Sequence, residues 1–139
     1  MNIIGSIIFL VFLSSFGQER IITGKIIGQE LSGFPGVVIM DSNNDKVLDT
    51  TDFNGGFEFK YSSDIKKIKF IFVMTQEEEI EISDTCNHIE LILPEEWTYD
   101  FVSLKTAERK KRRDRKRILP KLYAEAYEKG IFKNNKSCR

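Results

Sequence analysis

The stretch Thr51-Asp52-Phe53-Asn54-Gly55-Gly56-Phe57-Glu58-Phe59-Lys60-Tyr61 decides the fold class of this chain. Its first half is turn chemistry. Asp52 can accept backbone N–H bonds, and Gly55 and Gly56 allow the positive φ that tight turns require. Asn54-Gly55 is the strongest short-range hairpin signal in the sequence. In the second half, Phe57, Phe59 and Tyr61 alternate with Glu58 and Lys60, the period of a strand that buries one face. Phe57 is therefore expected in a β core.

The same grammar extends outward. Arg20 to Ile27 is a β-branched run closed by Gly28, and Gly33-Phe34-Pro35-Gly36 is a turn ahead of the apolar Val37-Val38-Ile39-Met40. The polar turn Asp41-Ser42-Asn43-Asn44-Asp45 precedes a strand over 46–51. Beyond Tyr61, strands are predicted over 67–74, 78–82 and 89–93. In the first of these Ile68, Phe70 and Phe72 mark one face, and in the last Ile89, Leu91 and Leu93 do. Seven short strands spaced by about ten residues predict a mainly β sandwich or small barrel. With 139 residues, 41% of them hydrophobic, the chain can form one domain with a core.

Gly36, Val38, Thr51, Asp52, Gly55 and Phe57, with the opening Ile22-Thr23-Gly24-Lys25-Ile26, resemble the carboxypeptidase regulatory-like domain. In that family a G-x-V-x-V strand is followed by T-D-x-x-G-x-F. The resemblance covers roughly residues 20 to 93. It implies a seven-stranded transthyretin-like, Greek-key β-sandwich of the kind found in exported proteins of the Bacteroidota. There such domains sit ahead of receptor barrels or beside peptidase domains. The motif residues are structural and imply no catalytic group or cofactor, and the segment Gln29-Glu30-Leu31-Ser32 departs from the usual acidic turn. A fold by itself specifies no function.

Charge divides the chain. From Gln18 to Leu104 there are seven basic and seventeen acidic residues, a formal charge of −10. From Lys105 to Arg139 there are fourteen basic and four acidic residues, a formal charge of +10. Overall neutrality is thus a cancellation, and such asymmetry marks an interaction surface. Residues 95–139 read as a basic helical extension. Trp97, Phe101 and Leu104 recur at i, i+4 and i+7, the spacing of one helical face that could pack on the sandwich. A second segment opens at Pro120 and closes at Gly130, with an apolar stripe through Leu119, Leu122, Tyr123, Ala126 and Tyr127. That stripe needs apolar cover, which the sandwich or a second copy could provide, and the tail is expected to dock partly on its own body. The run Arg109, Lys110, Lys111, Arg112, Arg113, Arg115, Lys116 and Arg117 cannot all share one face, and is expected to stay mostly solvated and free for an acidic partner.

Residues 1–17 read as a signal peptide. The apolar run from Ile3 to Leu13 ends at Ser15-Phe16-Gly17, which places a cut before Gln18; the alternative is an uncleaved anchor. Export makes nucleic acid an unfitting target for the basic run, and no aromatic residue interleaves it.

Other constellations read as structure. Cys86-x-His88 would place two ligands on one strand face, but His88 is the only histidine, too few donors for zinc. For Cys86 as a nucleophile, His88 is the only base and no third group is marked to orient it. Asp41, Asn43, Asp45 and Asp52 follow calcium-loop spacing, yet Lys46 stands where glycine is needed, so a hairpin turn is expected. Glu77, Glu79 and Glu81 read as a solvated strand face, opposite Ile80 and Ile82. Cys86 and Cys138 either join in a disulfide or stand as separate thiols.

These readings predict an exported, non-catalytic binding or adaptor module of a bacterial envelope. The periplasm, the outer membrane or the medium is its expected location. Its partner would be an envelope protein; the alternative is an anionic membrane surface, with lipid or lipopolysaccharide phosphates under the tail. An unrecognised enzyme is the third reading, disfavoured because no nucleophile, base and orienter assemble. No metal, cofactor or nucleic acid is expected.

Overall fold

A computed structural model describes residues 19–73, 75, 77–95 and 98–134. The signal-peptide reading of 1–17, together with Trp97 and Cys138, lies outside them. The described residues form β1 (Arg20–Ile27), β2 (Val38–Asp41), β3 (Val47–Thr50), β4 (Gly56–Tyr61), β5 (Lys67–Ile71), β6 (Glu78–Glu81), β7 (His88–Ile92) and α1 (Leu104–Glu128). All seven expected strands are present, the fifth ending at Ile71 rather than at 74.

The strands make two sheets with a sandwich-like arrangement. One has the order β4-β1-β7, with β1 antiparallel to β4 and parallel to β7; the other has the order β3-β2-β5-β6 and is antiparallel throughout. Alternation aims one side of each strand inward. Ile22 and Ile26 of β1, Ile39 of β2, Phe57 and Phe59 of β4, Ile68 and Phe70 of β5, and Ile89 and Leu91 of β7 share one core. Burying each large side chain contributes about 1.5–3 kcal/mol, which makes this cluster the main source of stability.

Asn54-Gly55 does not close a hairpin. The strands on either side, β3 and β4, belong to different sheets, so the turn carries the chain across the sandwich. Asp52 organises it, with Oδ1 accepting from the N–H groups of Asn54 (2.8 Å) and Gly56 (2.9 Å). Gly55 is the position with positive φ, 79°, whereas Gly56 does not need one. A Cβ on Gly55 would lie 2.0 Å from the Ile26 carbonyl oxygen, so this turn also needs glycine for its close approach to β1. Thr51 is buried, accepting from the Val37 N–H at 2.9 Å and donating to the Phe34 carbonyl at 2.6 Å. Gly36, at φ 77°, turns the chain into β2. Val38 faces outward, half-buried, while its neighbours Val37 and Ile39 fill the core.

The tail is one continuous helix, not two segments. Ser103 caps its start, accepting from the Thr106 N–H, and Gly130 ends it in the left-handed conformation at φ 70°. Pro120 lies inside α1 rather than opening a helix. An interior proline costs roughly 3 kcal/mol. Both Pro120 and Lys116, whose carbonyl loses its bond, are exposed, so water can satisfy that oxygen. Phe101 and Leu104 do not pack on the sandwich. Phe101 precedes the helix at φ 62°, and both side chains are exposed.

Candidate anionic-partner interface

The helix is held by its far end. Ala126 of α1 and Phe132 beyond it are buried against Ile27 of β1 and Ile92 of β7, with Leu119, Leu122, Tyr123 and Ile131 around them. This second apolar cluster sits on the outer face of the three-stranded sheet. It forms because β1 and β7 each end in a residue that alternation turns away from the main core. Polar contacts complete the dock. Tyr123 Oη accepts from the Ile92 N–H at 3.0 Å, and after Gly130 the chain turns back so that Glu90 accepts from the N–H groups of Lys133 (2.6 Å) and Asn134 (2.9 Å).

Apolar docking of the tail is thus as expected for Leu119, Leu122, Tyr123 and Ala126, whereas Tyr127 is exposed, and part of the basic run is engaged. Arg115 pairs with Glu78 of β6, and both side chains are largely covered. Lys110 stands over the Tyr99 ring, 5.7 Å from its centroid, and Lys111 is half-buried and engaged. Asp114 is drawn to Tyr99, whose hydroxyl donates to it at 2.5 Å, and to Arg117 at 3.4 Å. That hydrogen bond, with partial desolvation, holds the Tyr99 hydroxyl above its ordinary pKa.

With those side chains turned inward, the remainder sort onto one side. Between 105 and 117 the exposed residues are Lys105, Arg109, Arg112, Arg113, Lys116, Arg117 and Glu108. The six cations follow i, i+4, i+7, i+8, i+11 and i+12, which is one broad face of an α-helix. They extend along roughly 18 Å of its axis. All eight charges of the run cannot share a face, yet its exposed subset does, joined by Lys105. Apart from Arg117, these cations make no ion pair among the described residues.

A second polar cluster lies beside the dock. β1 and β7 place Thr23 opposite His88 and Lys25 opposite Glu90. Thr23 Oγ1 lies 2.9 Å from His88 Nδ1, and His88 Nε2 lies 3.2 Å from Glu90 Oε1. Glu90 is 2% exposed. This array borders an open pocket of about 250 Å³ that Lys25, Asn54, Ile131 and Lys133 help to line. Glu90 is the orienting group that the sequence did not mark; the signal for it was His88-x-Glu90 on the strand face opposite Ile89 and Leu91. The order hydroxyl, imidazole, carboxylate resembles a nucleophilic triad, but the Thr23 N–H is bonded to the Asn87 carbonyl and is unavailable to an oxyanion. Glu90 acts as a clamp for the returning tail.

Cys86 does not share a face with His88. It precedes β7, is fully buried in the main core, and is disulfide-bonded. Cys138 lies outside the described residues. In the β2–β3 turn, Asp41 accepts from the Asn43 N–H and Asp45 pairs with Lys69, so these carboxylates organise a hairpin. Among the described residues no group of His, Cys, Asp or Glu is arranged to hold a metal ion, and no helix is long and apolar enough to cross a membrane. On β6, Glu79 and Glu81 are solvated and pair with Lys67, whereas Glu78 turns toward α1. No protein-family model matches the chain, and no curated protein matches it.

Proposed function

We propose that this protein is an exported, non-catalytic binding module of a bacterial cell envelope, with the basic face of α1 as its working surface. The observation that carries this reading is the arrangement of Lys105, Arg109, Arg112, Arg113, Lys116 and Arg117 on one exposed face of a helix anchored elsewhere. Like charges at 105/109, 109/113, 112/116 and 113/117 repel by a few tenths of a kcal/mol each. An anionic partner relieves that repulsion, which solvent does only in part. The sandwich is the platform, and its two sheets, with the Thr51, Asp52, Gly55 and Phe57 turn, support a transthyretin-like, carboxypeptidase regulatory-like reading.

The test is salt-dependent binding of the exported chain to soluble polyanions. Poly-glutamate and heparin should both bind at low ionic strength and release as salt rises. Absence of binding to any polyanion at low salt overturns the proposal. Export is checked by cell fractionation. We also propose that Cys86 pairs with Cys138, the other cysteine in the chain. A loop of roughly 50 residues closed in this way gains about 4 kcal/mol in the chain-entropy model. Peptide mapping without reductant should recover the two cysteines in one linked species.

A further inference from the structure

Resting on that reading, we infer that the basic face of α1 is a landing surface for anionic lipid headgroups rather than for an acidic protein. Between 105 and 117 the exposed residues are six cations and one glutamate, with no apolar or aromatic side chain among them. A protein interface is centred on buried aromatic or aliphatic anchors, with charges at its rim. This face has a rim's composition throughout, and the exposed apolar side chains nearest it, Phe101 and Leu104, lie at its N-terminal end rather than at its centre, where a protein anchor would sit. A bilayer rich in phosphates needs none, because it attracts each nearby Lys or Arg independently of register. The face is long, single-sided and carried on one continuous helix, which lets its six cations approach a plane together.

A second signal adjoins the first. Two residues before the Ser103 cap, Phe101 is fully exposed on a left-handed backbone at φ 62°, a conformation unfavourable for a bulky residue. An exposed aromatic side chain held at one end of a polybasic stripe suits the headgroup boundary, where aromatic rings are at home. Stable attachment generally takes two such signals acting together. Charge brings the helix to the surface, and the Phe101 ring adds a contact that salt does not screen.

The experiment is vesicle flotation of the exported chain, with phosphatidylglycerol in phosphatidylethanolamine compared against phosphatidylcholine alone. The anionic vesicles should bind the protein at low salt and release most of it at high salt. Changing Arg109, Arg112, Arg113 and Lys116 to Gln should weaken the partition on the order of several hundred-fold, since each basic residue near an anionic surface contributes about a factor of five. Phe101→Ser should remove the binding that persists at high salt while leaving the low-salt binding largely in place. Equal binding to both vesicle types, or unchanged binding by the four-site variant, overturns the inference. If poly-glutamate binds through the same four residues and the anionic vesicles do not, the lipid assignment fails and the basic-face reading stands. If neither binds, both fail.

Discussion

The C-terminal half of α1, from Leu119 to Glu128, and its N-terminal half, from Leu104 to Ile118, share one backbone but meet the sandwich by different forces. The first places Leu119, Leu122, Tyr123 and Ala126 against Ile27, Ile92 and Phe132. The second touches the body through charge, with Arg115 on Glu78, while Lys110 lies over Tyr99 of the segment that leads into the helix. Apolar burial does not depend on salt or pH, whereas an ion pair such as Arg115–Glu78, even one largely covered, responds to both. One helix can therefore be anchored at one end while its other end keeps a charged face open. The partition follows from where apolar residues stop, at Ile118, and the basic run begins.

The comparison breaks most readily at Phe132. Phe132→Ala should cost about 3–5 kcal/mol in urea unfolding, because a fully buried ring leaves a cavity beneath the helix. A loss below about 1 kcal/mol would mean that the apolar cluster does not anchor the tail. Next in size is Glu90→Gln. It removes a buried carboxylate that accepts from two backbone N–H groups and from His88, and should cost about 1–3 kcal/mol. Hydrogen exchange at the Lys133 and Asn134 amides should accelerate; unchanged protection there would show that Glu90 is not the clamp.

Smaller effects should mark the charged half. A double-mutant cycle on Arg115→Ala and Glu78→Ala should give a coupling of about 1 kcal/mol or less, shrinking as salt is added. A coupling several times larger would place the N-terminal half on the same footing as the C-terminal half. Changing Arg109, Arg112, Arg113 and Lys116 to Gln should alter stability by no more than about 0.5 kcal/mol, since these side chains are exposed. A large drop in Tm would show that the exposed face supports the fold.

The finest probe is pH. Tyr99 is raised from its ordinary value of about 10 chiefly by its hydrogen bond to Asp114, opposed by Arg113 and Arg117. A raised pKa means that the contact stabilises fully below the unfolded value and fades as pH climbs through the folded one. Lys69, raised by Asp45, behaves in the same direction. Both contributions should therefore be present at neutral pH and vanish in strongly alkaline solution. Asp114→Asn should move the tyrosinate absorbance of Tyr99 to lower pH. An unchanged titration would show that Asp114 does not hold the ring.

Much of this molecule was legible in its residues. Four of the seven strands follow from period-two alternation and the other three from β-branched or apolar runs and the turn residues beside them, signals that need no knowledge of partners. The helix stop at Gly130 and the apolar stripe from Leu119 to Ala126 are equally local, set by positive φ and by the 3.6-residue period. Other features belong to the tertiary structure. Whether Asn54-Gly55 closes a hairpin or crosses between sheets depends on which strand each neighbour pairs with, and those pairings join residues far apart in sequence. Pro120 is tolerated within α1 because packing on either side outweighs a local penalty. The single basic face has the same origin. Sequence supplies eight basic residues in nine, but only tertiary contacts, such as Arg115 on Glu78 and Lys110 over Tyr99, decide which of them turn inward and which stay exposed.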